Sequence, residues 1–214
     1  MKHALFTFCA IFFLAACGQT QSTLQIPDKI PGPPSPHEQV ADFAEGCFWH
    51  AEIVFQSLAG VRDAVSGFAG GTAPRPSYED VCTGTTGHAE TVQVYYDPAK
   101  ISFATLVKAF FASLDPTELN RQGNDVGTQY RSIIFYRTPA EKKIIDDEIA
   151  ALTSQHKFSG KIVTEVQPFK VFYPAEDYHQ EYIKNHPGNP YVRAVSIPDY
   201  LEFRKNFPGP YKAG

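Results

Sequence analysis

The feature that most restricts the fold of this 214-residue chain is an abrupt change of hydrophobic period near residue 45. Val40 to Ala44 reads as a short buried strand that runs straight into Glu45-Gly46-Cys47. From His50 onward the apolar residues Ala51, Val54, Phe55 and Leu58 follow the i, i+3, i+4, i+7 spacing of an amphipathic helix. Cys47 is therefore expected at a strand-to-helix junction. Unpaired backbone N–H groups and the positive end of the helix dipole favour an anion there, and a thiolate so placed has a lowered pKa and is the reactive form. Gly46 allows a close backbone approach.

The same alternation continues downstream. Gly67 to Pro74 reads as a glycine-rich turn without the Lys-Ser/Thr of a phosphate-binding loop. Glu90 to Tyr96 alternates as a strand closed by Asp97-Pro98. Ser102 caps a helix with apolar positions Phe103, Leu106, Val107, Phe110 and Leu114. Asp115 to Thr128 reads as a long functional loop and Arg131 to Tyr136 as a strand. Thr138-Pro139-Ala140-Glu141 opens a helix with Pro at its first position and a capping-box Glu. Ile144, Ile145, Ile149 and Leu152 would line its buried face. A strand over Lys161–Val166, a short helix over Ala175–Lys184 and a last helix over Ser196–Phe207, interrupted near its start by Pro198, complete the pattern. Strands and helices in this order predict an α+β fold, a two-layer sandwich in a single domain.

A formal charge of −4 with no basic run gives no footing for nucleic acid. The N-terminus is different in kind. A slightly basic Met1-Lys2-His3 precedes Ala4–Ala16, which is almost wholly apolar and too short to span a bilayer, as in a secretory signal peptide. Its end, Leu14-Ala15-Ala16-Cys17-Gly18, resembles the bacterial lipobox, which implies cleavage before Cys17 and acylation of that cysteine. The expected organisation is a signal peptide over 1–16, a lipidated, Pro-rich tether over 17–38 and a folded domain over 39–214. Such a protein is held at the periplasmic face of a bacterial membrane, with Gly18 favouring the outer one. An ordinary signal with a chance cysteine would instead give a soluble periplasmic or secreted protein.

Of the four cysteines, Cys9 lies in the signal and Cys17 is taken by lipid, leaving Cys47 and Cys82 as thiols of the mature domain. In an oxidising compartment such a pair can also be a structural disulfide. Glu90 shares a strand face with Val92, Val94 and Tyr96. If that face is buried, its carboxyl is protonated near neutral pH and can protonate a departing oxygen; the alternative is a solvated Glu at a strand end. Tyr78 and Tyr130 offer phenolic donors or are core edges, and Phe48 and Trp49 offer an apolar wall or plain core. His50 is a base toward the thiol or simply a neutral or surface residue. The histidines lack metal-ligand spacing, so no metal is expected. A Cys47 acyl-transferase with His50 or His88 as base is the rival enzyme reading.

Five stretches together resemble the A-type methionine sulfoxide reductases. They are Gly46-Cys47-Phe48-Trp49, Gly67–Gly71, Ser77–Gly84 continuing to Gly87–Glu90, Asn124–Ser132, and Ala175–Gln180. The resemblance implies a sandwich around a ferredoxin-like mixed sheet and reduction of the S-epimer of methionine sulfoxide, free or in oxidised proteins, with no cofactor. It implies Cys47 as nucleophile, Glu90 as acid, Tyr78 and Tyr130 as donors to the sulfoxide oxygen, Phe48 and Trp49 around the methyl group, and Asp125 on the substrate amide. It also implies a thioredoxin-like or similar external thiol. No cysteine follows Cys82 and His50 follows Trp49, so either Cys82 or the outside thiol is expected to resolve the Cys47 sulfenic acid.

Overall fold

The computed structural model describes residues 31–213. The signal segment, Cys17 and most of the tether lie outside the described residues. The elements are β1 (Gln39–Glu45), α1 (Phe48–Gln56), β2 (Val61–Ala69), α2 (Tyr78–Cys82), β3 (Ala89–Tyr96), α3 (Phe103–Ser113), β4 (Arg121–Gln122), β5 (Asp125–Val126), β6 (Ser132–Tyr136), α4 (Pro139–Ser154), β7 (Glu165–Pro168), β8 (Phe172–Pro174), α5 (Tyr182–Asn185) and α6 (Ile197–Asn206). Six strands build a mixed sheet in the order β7-β6-β1-β3-β2-β8, antiparallel throughout except for the parallel pair β6–β7. The α+β class and the mixed sheet are as expected, and β4 and β5 pair in a separate two-stranded sheet.

Period-two alternation divides the central strands between two faces. Ala41 and Phe43 of β1, with Val92, Val94 and Tyr96 of β3, join the main core beneath α1, α3 and α6. Ala44, Ala69, Ala89, Ile133 and Phe135 form a smaller cluster capped by Phe169 and Phe172. In the main core the Phe43 ring stacks on Phe55 of α1 at 4.6 Å and meets Phe110 of α3 at 5.9 Å. Each such ring, fully buried, contributes about 1.5–3 kcal/mol through area removed from water. This packing fixes the direction of α1 and so the position of the cysteine before it.

Helix starts follow the sequence closely. The Ser102 hydroxyl accepts from the Thr105 N–H, and Thr138 with Glu141 closes a capping box at α4. On α4 only Ile145 is fully buried, with Ile144, Ile149 and Leu152 half-covered. Strand β2 takes up the first part of the run expected to be a turn: Gly67 lies within it, because any side chain there would collide with Phe172 and Tyr173 of β8. The strand expected over 161–166 lies over Glu165–Pro168, since Val163 is drawn off to the Pro116 carbonyl. The helix expected over 175–184 is broken by Glu181 at φ +52, leaving a 3₁₀ turn over Asp177–His179 and α5. Tertiary bonds impose the break: the Glu181 N–H donates to Glu52, and the Gln180 amide bonds both the N–H and the carbonyl of Ser66. Pro198 does not interrupt α6; it sits in the first turn, where its missing N–H costs nothing, behind a π-helical turn over Val192–Ser196.

Candidate active site

Cys47 is the N-cap of α1, in extended conformation, separated from the end of β1 at Glu45 by Gly46 alone. Gly46 adopts φ +98, and a Cβ there would lie 2.7 Å from the Gln122 side chain, so the partner of the close approach is the 115–128 loop. Burial is the largest influence on the thiol and raises its pKa strongly, and the neighbouring Glu90 and Asp125 add to it. The Trp49 and His50 backbone N–H groups pull the other way without prevailing. The lowered pKa expected at a helix start is therefore not found. The resting sulfur is a thiol, because a dry site between two carboxyl groups outweighs the helix end.

Across from it, Glu90 stands one residue into β3 on the helix face and is 2% exposed. Its Oε2 accepts from the Phe48 N–H at 3.0 Å, tying the carboxyl to the first turn of α1. Burial pushes its pKa up to about 8, so it is a neutral acid near pH 7. Tyr78 begins α2, whose Ser77–Asp80 capping box fixes the start of the helix, and the Tyr78 N–H donates to Glu176. Tyr130 ends the 3₁₀ turn over Thr128–Tyr130 that follows Gly127. Burial raises both phenols, with the Glu90 carboxyl as the next cause, so they stay protonated donors.

Cys47, Phe48, Trp49, Tyr78, Glu90, Asp125, Tyr130 and Tyr191 line one pocket of about 190 Å³. Every residue expected in the nucleophile, acid or substrate-binding roles is thus brought together. Phe48 is buried among Phe68, Tyr78 and His179. The Trp49 indole stacks on Tyr182 at 3.7 Å and donates its N–H to His179 Nδ1. Sequence reasoning did not single out Tyr191. Its hydroxyl donates to Asp125 Oδ2 at 2.6 Å and interacts with the Cys47 sulfur. It lies in the helical backbone that follows Asn189 and runs into the π-helical turn over Val192–Ser196. His179 was also passed over as a site residue, although it lies within one of the recognised stretches. Desolvation lowers its pKa to about 4, so it is a neutral acceptor for Trp49.

The remaining candidates fall elsewhere. Cys82 is an exposed free thiol at the end of α2 that lines neither of the two pockets lined by Cys47, also a free thiol, though its sulfur meets the Tyr78 hydroxyl. His88 is buried and held between the Gly71 N–H and the Ala73 carbonyl, away from both pockets that Cys47 lines. His50 is 8% exposed, so it is not a surface residue; it points to the side of Cys47 opposite Glu90, and burial lowers its pKa. A cysteine–histidine pair inside the Glu90 pocket is absent among the described residues. Nor do any three His, Cys, Asp or Glu side chains among them form a group able to hold a metal ion.

A half-buried cysteine facing a neutral carboxylic acid and phenolic donors, on an α+β sheet, defines a thiol site suited to an oxygen-bearing substrate. The family of that class is given by comparison: the chain belongs to the peptide methionine sulfoxide reductase family, whose pattern matches residues 39–209. It is 48% identical over 174 residues to "Peptide methionine sulfoxide reductase MsrA" of Saccharolobus solfataricus, covering 81% of this chain and 97% of that protein. It also resembles the crystal structure of Mxr1 from Saccharomyces cerevisiae in reduced form. That match has TM-score 0.69 and 36% identity, over 77% of this chain and 93% of the other. Mxr1 in complex with Trx2 aligns with TM-score 0.50 and 27% identity, over 73% and 92%.

Proposed function

We propose that the protein reduces methionine sulfoxide, free or in oxidised proteins, to methionine at the expense of thiols. The observation that carries this reading is the neutral Glu90 carboxyl, bonded to the Phe48 N–H and sharing a pocket with the Cys47 thiol. Sulfoxide oxygen is a poor leaving group until it is protonated. As the Cys47 sulfur gives up its proton and bonds to the sulfoxide sulfur, Glu90 gives its proton to the oxygen while the Tyr78 and Tyr130 hydroxyls hold it. That oxygen, now a hydroxyl, then passes to the Cys47 sulfur as the sulfur–sulfur bond breaks, and the thiol's proton restores the Glu90 acid. The balance is Cys47–SH plus R₂S=O giving Cys47–SOH plus R₂S, with the cysteine oxidised and the sulfoxide reduced. Phe48 and Trp49 hold the methyl group, and Asp125, oriented by Tyr191, receives the substrate amide. Likeness to the A-type family supports the S-epimer as the one reduced.

A thiol reductant of the thioredoxin type then restores Cys47, by likeness to the Mxr1 complex with Trx2. The exposed position of Cys82 favours an external thiol over Cys82 as resolver. A Cys82→Ser variant should still turn over at full rate with a dithiol protein; a stalled sulfenic acid would restore Cys82 to that role. At the cell level, the apolar Ala4–Ala16 segment and Cys17 support anchoring by lipid at the periplasmic face of a bacterial membrane, preferably the outer one. The mass of the mature N-terminus tests this: an acylated Cys17 is expected, and a protein that retains Met1 contradicts it.

The reaction is tested by one turnover of the reduced protein with each epimer of a methionine sulfoxide peptide. One methionine per protein, one thiol lost at Cys47 and no product from the R-epimer are expected. Both thiols intact with no methionine overturns the reading.

A further inference from the structure

Glu52 carries a buried carboxyl that the sulfoxide chemistry does not use. It lies on α1, 2% exposed, one turn beyond Phe48 and Trp49. A carboxyl taken out of water is costly unless donors meet it, and here three do. Its Oε2 accepts from the Ser66 hydroxyl at 2.8 Å. Its Oε1 accepts from the Gln56 amide at 3.1 Å and from the Glu181 backbone N–H at 2.7 Å. The last bond spans 129 residues and ends on a left-handed residue, Glu181 at φ +52. A side chain disfavours that conformation, so the turn persists only where outside bonds hold it.

The residues flanking this turn hold Trp49, the one tryptophan of the chain. On one side, His179 accepts the indole N–H at 3.2 Å. On the other, Tyr182 lies against the indole face at 3.7 Å, with the two rings 5° from parallel. The indole is thus fixed at its edge by residue 179 and on its face by residue 182. The pair between them, Gln180 and Glu181, is tied to Ser66 and Glu52 respectively. Trp49 and Glu52 are three apart on α1, so the carboxyl stands beside the clamp that it ties.

We propose that Glu52 is a positioning residue for the methyl-binding wall: by capturing the Glu181 N–H it holds the His179–Tyr182 clamp on the Trp49 indole, and so sets the affinity for methionine sulfoxide. The inference rests on the reductase reading, in which Trp49 meets the substrate methyl group. Glu52 does not line the pocket that holds Cys47 and Glu90, so it acts on binding and not on oxygen transfer. Burial pushes its pKa up to about 7, and the acid form keeps Oε1 as an acceptor, so reach rather than charge makes the tie.

Three substitutions separate reach from charge. Glu52→Gln keeps an oxygen for the Glu181 N–H and can turn its amide NH₂ toward Ser66. Glu52→Asp keeps the carboxyl but is one methylene short, and Glu52→Leu has no acceptor. The methionine burst is followed against the concentration of an S-sulfoxide peptide, beside the indole N–H resonance and acrylamide quenching of Trp49. In the Asp and Leu variants the half-saturating concentration should rise about tenfold, with the burst rate at saturation within about twofold of native. Their indole resonance should shift and their quenching increase, while the Gln variant should match the native protein throughout. A lowered unfolding midpoint in the Asp and Leu variants, with half-saturation and indole resonance unmoved, would make the carboxyl merely structural and overturn the proposal. So would a Gln variant as impaired as the Asp one. The native protein supplies a check that needs no variant to fold: the Glu181 amide should resist hydrogen exchange, and exchange as fast as in an unstructured peptide overturns the tie. A native protein that makes no methionine overturns the reductase reading beneath, while the indole and exchange results still judge the tie.

Discussion

The two halves of the Cys47 pocket are built in different ways. One half is regular: β1, α1 and β3 carry Cys47, Phe48, Trp49 and Glu90 on elements locked by the Phe43–Phe55 stack and the Phe48–Glu90 hydrogen bond. The other half is built from short pieces of the 115–130 loop and the 177–196 segment. They deliver Asp125 from the two-residue strand β5, Tyr130 and His179 from 3₁₀ turns, and Tyr191 from the head of a π-helical turn. The regular half holds the reacting atoms where small displacements are costly. The half of short pieces supplies donors and walls, which can adjust to a peptide.

The contrast makes separable predictions. The largest effect belongs to the frame: Phe55→Ala should cost about 3–5 kcal/mol in denaturant unfolding, because the cavity opens between sheet and helix. A loss below 1 kcal/mol would mean that α1 is held by something other than this stack. Next, Tyr130→Phe should slow the methionine burst by about a hundredfold with the unfolding midpoint nearly unmoved, as for loss of one donor to a developing charge. An equal loss of stability would erase the distinction between the halves. The smallest effect is a pH slope. The folded-state pKa values of Glu45 and Glu90 stand at about 8 and that of Glu52 at about 7, above their ordinary value of 4.5. The folded protein therefore holds protons that the unfolded chain has released. Stability is fullest below the unfolded value and falls as pH rises through 7 and 8. Between pH 7.5 and 8.5, where His50 and His179, lowered by burial from an ordinary value of 6.5, are largely neutral in both states, the melting temperature should decline. Glu45→Gln should flatten that decline, and an unchanged slope would remove Glu45 as a source.

The regular half is also the half that could be read from sequence. The period change at residue 45 placed Cys47 at a helix start, and strand alternation aligned Glu90 with Val92, Val94 and Tyr96 while leaving open whether that face is buried. Those signals are local, a matter of which residues recur every two or every 3.6 positions. The half of short pieces left little trace. Glu181 breaks a helix-patterned run because Glu52 and Ser66, more than a hundred residues earlier, capture its neighbourhood. Tyr191 reaches the site from the head of the π-helical turn before α6, and its tie to Asp125 spans 66 residues. Gly67 read as a turn because its reason, close packing of β8, is equally remote. The thiol state of Cys47 was misjudged for a related cause: the helix end is visible in the sequence, but the burial that outweighs it is not.

The account turns on Glu90 as the acid opposite Cys47, and the pH dependence of the methionine burst tests it most directly. Only a neutral Glu90 can protonate the oxygen, and an ionised one also opposes loss of the Cys47 proton. In the native protein the burst rate should fall above a pH of about 8, following the Glu90 carboxyl. In Glu90→Gln it should be lower by about 10²–10⁴-fold and show no break there. A native burst that holds level to pH 9.5, or a Glu90→Gln burst as fast as the native one, would contradict the assignment.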